Sequence, residues 1–424
     1  MTAAPAGYWP SPWPGEDNGP DRRATVAGVG PVGDLTVTSR EAVATTMVVL
    51  REPGEVFAFR HTAGPQAVGW VERLDPVTLE TIARSEDLAA GPVWPGGLAA
   101  HANGDLYTIF GHHAHRLSAA SLAVLSKAQL PRVKPYNSFV IVPDGHLVTK
   151  DFGGVLPGGD PDAHPYEPTE VVVLEPESLA IVARCAVPEA SIARLSADGN
   201  DVYVVGVESL WRLRWDGTAL VIDESFTARY RTIVGQTYGW DPVIALGAAW
   251  FLDNGFGSER YAGTFRGQGV NVAPLHLVRV DLITSAVTLT EICGLPGGVV
   301  ANPPIVDEAR RIAVGYDSGN GVIAAFDIAG DGALSFRWRR DQNHACHPLL
   351  FADSGDLVTT DHDRDRFADD IVVLDIETGE ERGRVASGSP VQSVLFPAGG
   401  FDHDVYYCSF AAIARVFGSQ FTAS

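Results

Sequence analysis

The chain has 424 residues, 46% hydrophobic, 20% charged and 9% aromatic, with 45 Gly and 28 Pro, a globular, loop-rich composition that excludes disorder for most of its length. Its 31 Lys and Arg stand against 52 Asp and Glu, a formal charge of −21, which disfavours nucleic acid and anionic membranes as partners. No run approaches the ~18 uncharged apolar residues of a membrane span, and Met1 to Ala24 lacks the basic start and apolar run of a secretory signal. Cys185, Cys293, Cys346 and Cys408 are scattered without a CxxC pair. A soluble, cytoplasmic protein with free thiols is expected.

Residues 1–30 form an extended Pro- and Trp-rich segment, with Tyr8, Trp9 and Trp13 set among prolines from Gly7 to Gly15 (GYWPSPWPG). Such rings bury large area at low entropic cost, so this segment reads as a strap packed on the remaining body, residues 31–424. Asp34 to Ser39 (DLTVTS) alternates as a strand does. One phrase then recurs: a polar residue, a short apolar run, a turn glycine and an alternating strand. It is clearest in Asn137 to Phe152 (NSFVIVPDGHLVTKDF) and His347 to His362 (HPLLFADSGDLVTTDH). Thr46 and Gly54, Gly96 and Gly104, Asn137 and Gly145, Ser191 and Gly199, His347 and Gly355, and Gln392 and Gly400 are all eight residues apart.

Looser copies begin at Asp241 and Asn302, so that successive starts lie 41 to 61 residues apart, a propeller period. Each phrase continues into a second strand pair, as in Trp70 to Arg84 (WVERLDPVTLETIAR), Val171 to Arg184 (VVVLEPESLAIVAR), Leu277 to Leu289 (LVRVDLITSAVTL) and Ile371 to Val385 (IVVLDIETGEERGRV). Four antiparallel strands per repeat make one blade. The last repeat runs out after three strands, and Asp34 to Ser39 is the expected fourth, closing the ring and removing both sheet edges. The expectation is an all-β, single β-propeller of eight blades, with seven as the alternative. At blade level the phrases resemble gluconolactonase-like and quinoprotein-like propellers.

In this register the first strand of each blade lines the channel, and its polar start ring comprises Thr46, Asn137, Ser191, Asp241, Asn302, His347 and Gln392, with Gly96 in the eighth place. Second strands end at the same mouth with Lys150, Asp151, Asn254, Asp361 and His362 among their last residues. Polar groups at buried register positions are costly unless paired or bound to something, which marks the mouth as the candidate site. There His347 is the expected base, Asp361 its orienting carboxylate and Lys150 an electrophilic stabiliser beside Asp151. Asn137, Asp241, Asn302, Asn254, His362 and Gln392 are the expected substrate-binding groups.

The resemblance to gluconolactonase-like propellers implies a divalent cation on the channel axis, with Asn137, Asp241 and Asn302 as oxygen ligands suited to Ca²⁺ or Mg²⁺. The acidic ligand that those propellers carry near the chain start has no counterpart in the sequence. A second cation candidate is the acidic loop, where Asp361, Asp363, Asp365 and Asp369 fall at relative positions 1, 3, 5 and 9. A third cluster, His112, His113 and His115, has donors for a transition metal. The expected function is acid/base chemistry on a small polar or oxygenated metabolite, as a lyase, lactone hydrolase or isomerase. The alternatives are a noncatalytic protein-interaction scaffold and a quinone-cofactor dehydrogenase.

Overall fold

The computed structural model describes residues 5–64, 66–92, 96–153, 167–254, 263–392 and 396–418, excepting the side chain of Asn137. These form eight antiparallel sheets arranged as blades. The innermost strands are Thr45–Leu50, Gly97–Ala100, Tyr136–Ile141, Ser196–Asp198, Val243–Ala245, Ile305–Asp307, Leu349–Phe351 and Pro397–Gly399, which open blades 1 to 8 and neighbour one another around the ring. The eight-residue register is the hairpin between first and second strands. Five of its six glycines, all but Gly400, sit in the turn with positive φ, +91° at Gly145 and +74° at Gly355, a region closed to most side chains.

A second turn repeats between third and fourth strands. In blade 1 the Asp75 carboxylate accepts the Val77 and Thr78 N–H groups at 2.9 and 2.8 Å, and Asp281 and Asp375 serve blades 5 and 7 in the same way. These side chains satisfy backbone donors that the turn leaves free. Among the described residues the one helical element is a 3₁₀ turn, Glu16–Asn18. No helix among them is long and apolar enough to cross a membrane.

The ring closes as the sequence leads one to expect. Leu35–Glu41 pairs antiparallel with Ala412–Gly418, supplying the outer strand of blade 8 from the chain's beginning. What precedes it has a different course. Residues 5–33 cross the lower mouth of the channel, where the first strands end. Trp9 N–H donates to Ala100 O (2.9 Å), Leu50 N–H to Trp13 O (2.9 Å), Ala197 N–H to Pro20 O (2.6 Å), Ile244 N–H to Asp21 O (2.9 Å) and Leu350 N–H to Ala24 O (2.9 Å). Thr25–Val26 then lies parallel against Leu349–Phe351. The segment is a strap, as expected, but it spans the channel floor and enters the core, where Trp13 is buried.

Candidate functional site

The strap turns upward into the channel at Glu16–Asn18 and presents Glu16, Asp17 and Arg22 to the axis. Each is almost wholly buried, as are Arg194 before the first strand of blade 4, Asp241 before that of blade 5, and His347 before that of blade 7. Arg22 is the hub. Its Nη1 lies 3.1 Å from Asp17 Oδ2, its Nη2 3.1 Å from Glu16 Oε2 and 2.5 Å from Ser138 Oγ, and its Nε donates to Leu195 O at 2.7 Å. Arg194 joins the strap to blade 5, with Nε 2.5 Å from Glu16 Oε1 and Nη1 3.2 Å from Asp241 Oδ2.

Burial alone would raise the Asp17 carboxyl, but the His347 ring, Arg22 and Arg194 together hold it below the ordinary carboxylate range. Asp17, Asn18, Arg22 and Ala24 all have φ between 49° and 65°. This left-handed region costs a non-glycine residue about 1–2 kcal/mol. Such strain persists where surrounding contacts over-determine it.

His347 Nδ1 lies 2.8 Å from Asp17 Oδ1, and its ring centroid is 4.1 Å from that of Phe396, the two planes tilted by 51°. An ionised Asp17 favours the hydrogen on Nδ1, and in the neutral ring that arrangement leaves the lone pair on Nε2. No hydrogen-bond partner of Nε2 is found among the described residues, and Asp241 Oδ2 is 3.9 Å from it. Lys150 is also buried, its Nζ donating to Ser191 O at 3.0 Å and Asp151 O at 3.3 Å. Burial pushes its ammonium down to about 7 against the attraction of Asp151 and Asp241, while Arg194 and Arg22 push the same way. The Ser191 hydroxyl and Trp240 indole N–H are buried here without a hydrogen-bond partner among the described residues.

The expected His347–Asp361 pair is not formed. Asp361 Oδ2 binds Arg384 at 3.0 Å and Oδ1 accepts the Asn343 N–H at 2.9 Å, so the orienting carboxylate is Asp17, 330 residues from its histidine. Asp151 lies beside Lys150 but turns from the axis, accepting from Arg132 Nη1 at 2.8 Å and Glu170 N–H at 2.9 Å. Gln392 takes the Phe265 and Thr264 donors on Oε1 and gives Nε2 to Asn343. It pins the end of blade 5's upper loop across to blade 8, a contact reinforced by Gln392 N–H donating to Gly263 O at 2.8 Å. Asn254 and Asn302 are buried at the mouth, whereas His362 faces Asp369 at 3.9 Å within blade 7. The side chain of Asn137 lies outside the described residues.

Neither cation proposal fits the geometry. On the axis, Arg194 occupies both oxygens of Asp241, its backbone N–H on Oδ1 at 2.6 Å and its guanidinium on Oδ2, so positive charge already sits where a cation would. An acid near the chain start does reach the axis, as Glu16 and Asp17, but Arg22, Arg194 and His347 already engage that pair. In the acidic loop, Asp363 Oδ1 accepts the Asp365 and Arg366 N–H groups and its Oδ2 binds Arg366. Asp361 turns to Arg384 and Asp369 accepts from Tyr407 OH, so these carboxylates diverge over a tight hairpin. His112, His113 and His115 lie along the third strand of blade 2 and its turn, with His113 Nδ1 2.7 Å from Ala90 O. Among the described residues no group of three or more His, Cys, Asp or Glu is disposed to hold a metal ion. Chelation is accordingly expected to leave the melting temperature unchanged, checked by calorimetry with and without EDTA.

Sequence reasoning did not find Asp17, Arg22, Glu16 or Arg194. The available signal was the cluster of five charges within Gly15 to Arg23 (GEDNGPDRR), flanked by residues that bend the chain.

No family model matches the chain, and no curated protein matches it. Solved structures do. The chain is similar to BamB from Moraxella catarrhalis (11% identity, TM-score 0.55, covering 90% of this chain and 99% of that one). It is also similar to quinohemoprotein alcohol dehydrogenase from Comamonas testosteroni (10% identity, TM-score 0.62, covering 97% and 82%). Both are propellers of the quinoprotein-like type. At these identities the likeness shows the fold alone.

Proposed function

We propose that the protein is an enzyme acting on a small polar, oxygenated metabolite by acid/base chemistry in the upper half of the channel. The observation that carries this reading is the buried Asp17–His347 pair, whose Nδ1 contact leaves Nε2 as the basic atom. A carboxylate on Nδ1 fixes the tautomer and favours the imidazolium that forms when Nε2 takes a proton. Lys150 and Arg194 supply positive charge for an oxyanion developing on the substrate, and Ser191 and Trp240 supply neutral donors. The strap closes the lower mouth, so a small molecule enters from the upper face. This donor and acceptor set suits proton abstraction next to a carbonyl or activation of water, hence a lyase, lactone hydrolase or isomerase, working in the cytoplasm.

The test is turnover across a panel of lactones, hydroxy acids and sugar acids, followed on wild type, His347→Ala and Asp17→Asn. Loss of the orienting carboxylate is expected to lower kcat by about 10²–10⁴-fold, with His347→Ala at least as severe and KM moved little. Turnover untouched in both variants rejects His347 as the base. A protein that turns over nothing and binds no member of the panel favours a noncatalytic scaffold instead.

A further inference from the structure

We infer that the ring of blades is a receptor for an extended acidic peptide, and that residues 5–30 are its tethered ligand. The binding argument stands apart from the catalytic reading. Every blade has its four strands without this segment; the one strand that it adds, Thr25–Val26, pairs parallel on the inner edge of blade 7. Its other main-chain contacts to the ring are made along first strands, and at the turns that end them, around the lower mouth on blades 1, 2, 4, 5 and 7. Unpaired backbone groups at those ends recognise an extended chain of any sequence.

Selectivity comes from the side chains. The Glu16–Asp17 pair is read by Arg194, His347 and Ser138 of three different blades. Arg23 reaches Glu308 and Ile244 O on blades 5 and 6, and the Tyr8 hydroxyl accepts the Ile141 N–H at 3.0 Å in blade 3. The left-handed backbone at Asp17, Asn18, Arg22 and Ala24 is a conformation that a free peptide rarely holds, so it is imposed by the receptor. The connection to the ring-closing strand runs through Gly33 and Asp34, both exposed, and acts as a tether. Withdrawal of the segment would remove Asp17 from His347 and Glu16 from Arg194, leaving His347 Nδ1 without its carboxylate and Arg194 with Asp241 alone, two positions that another peptide with paired carboxylates would fill.

The experiment starts from the full-length folded protein with a specific protease sequence inserted between Gly33 and Asp34, an exposed tether where insertion is tolerated. After cleavage the N-terminal fragment is expected to co-elute with the ring in gel filtration, and to exchange with a fluorescent synthetic peptide of residues 5–31 followed by anisotropy. Competitor peptides carrying Glu16→Gln and Asp17→Asn together are expected to bind about 100-fold or more weakly, because buried charge partners are left unpaired. A scrambled peptide should not compete. Fragment that never exchanges while the ring stays folded, or a ring that unfolds on cleavage, would show a permanent part of the core and overturn the proposal. Equal competition by the Glu16→Gln, Asp17→Asn peptide would overturn the acidic specificity.

Discussion

Arg22→Ala is expected to destabilise the protein by about 3–5 kcal/mol, the range for removing one partner of a buried ion pair. The guanidinium has every donor edge engaged, on Asp17, Glu16, Ser138 and the Leu195 carbonyl. Its loss strands two carboxylates that cannot reach water. Arg194 and His347 compensate Glu16 and Asp17 only in part, since Arg194 is shared with Asp241. Arg22→Lys restores a charge without the planar fork, and a single ammonium cannot serve Asp17, Glu16 and Leu195 O together. It should fall between wild type and Arg22→Ala. Calorimetric melting of the three proteins at pH 7 checks the order. If Arg22→Ala and Arg22→Lys both melt as wild type does, the axial network contributes nothing to stability and its role is confined to the site.

The blade framework was legible because it is local. A turn glycine such as Gly145 and the strands beside it lie within about 15 residues, and alternation at period two declares itself over that distance. The closing strand was legible for a related reason: a last repeat one strand short needs a partner, and the alternating stretch Asp34 to Ser39 before the first full repeat met that need, the observed strand being Leu35–Glu41. The axial site combines groups that no window contains. The polar start ring was read only as lining one mouth; Asp241, Asn302, His347 and Gln392 among its members are buried. Which carboxylate meets which cation depends on the path of a strap whose backbone passes through four left-handed non-glycine residues. Sequence propensity tolerates that path at Asp17 and Asn18 but argues against it at Arg22 and Ala24. Asp361 illustrates the error: strand register placed it at the exit of a second strand, where it lies two residues before the end of Asp356–Asp363, but did not disclose that Arg384 would reach it from the fourth strand across the third.

Between pH 7 and 10 the folded protein is expected to gain stability through Lys150, and Lys150→Met to lose that gain. The Lys150 ammonium titrates near 7 in the folded state, against 10.5 for an ordinary lysine. Over that interval the unfolded chain binds more protons at this position than the folded one, so unfolding free energy rises with pH; below pH 7 both forms are charged and the full cost of burying the charge remains. At ~1.4 kcal/mol per pH unit the depression corresponds to a cost on the order of 3–5 kcal/mol. Lys150→Met should therefore be more stable than wild type at pH 6, less about 1 kcal/mol for each hydrogen bond lost at Ser191 O and Asp151 O, and the two should converge by pH 9. The difference between the proteins is the informative quantity, since other groups titrate equally in both. Parallel stability curves over pH 6–9 would mean that the ammonium is not desolvated in the channel wall. The desolvation cost of a buried amine half-neutral near pH 7 exceeds what its two hydrogen bonds to Ser191 O and Asp151 O return, and such net-costly groups concentrate at functional sites. Convergence of the curves would therefore establish that the Lys150 ammonium is desolvated in the channel wall, the state in which the proposed site would use it to accept a proton or to stabilise negative charge.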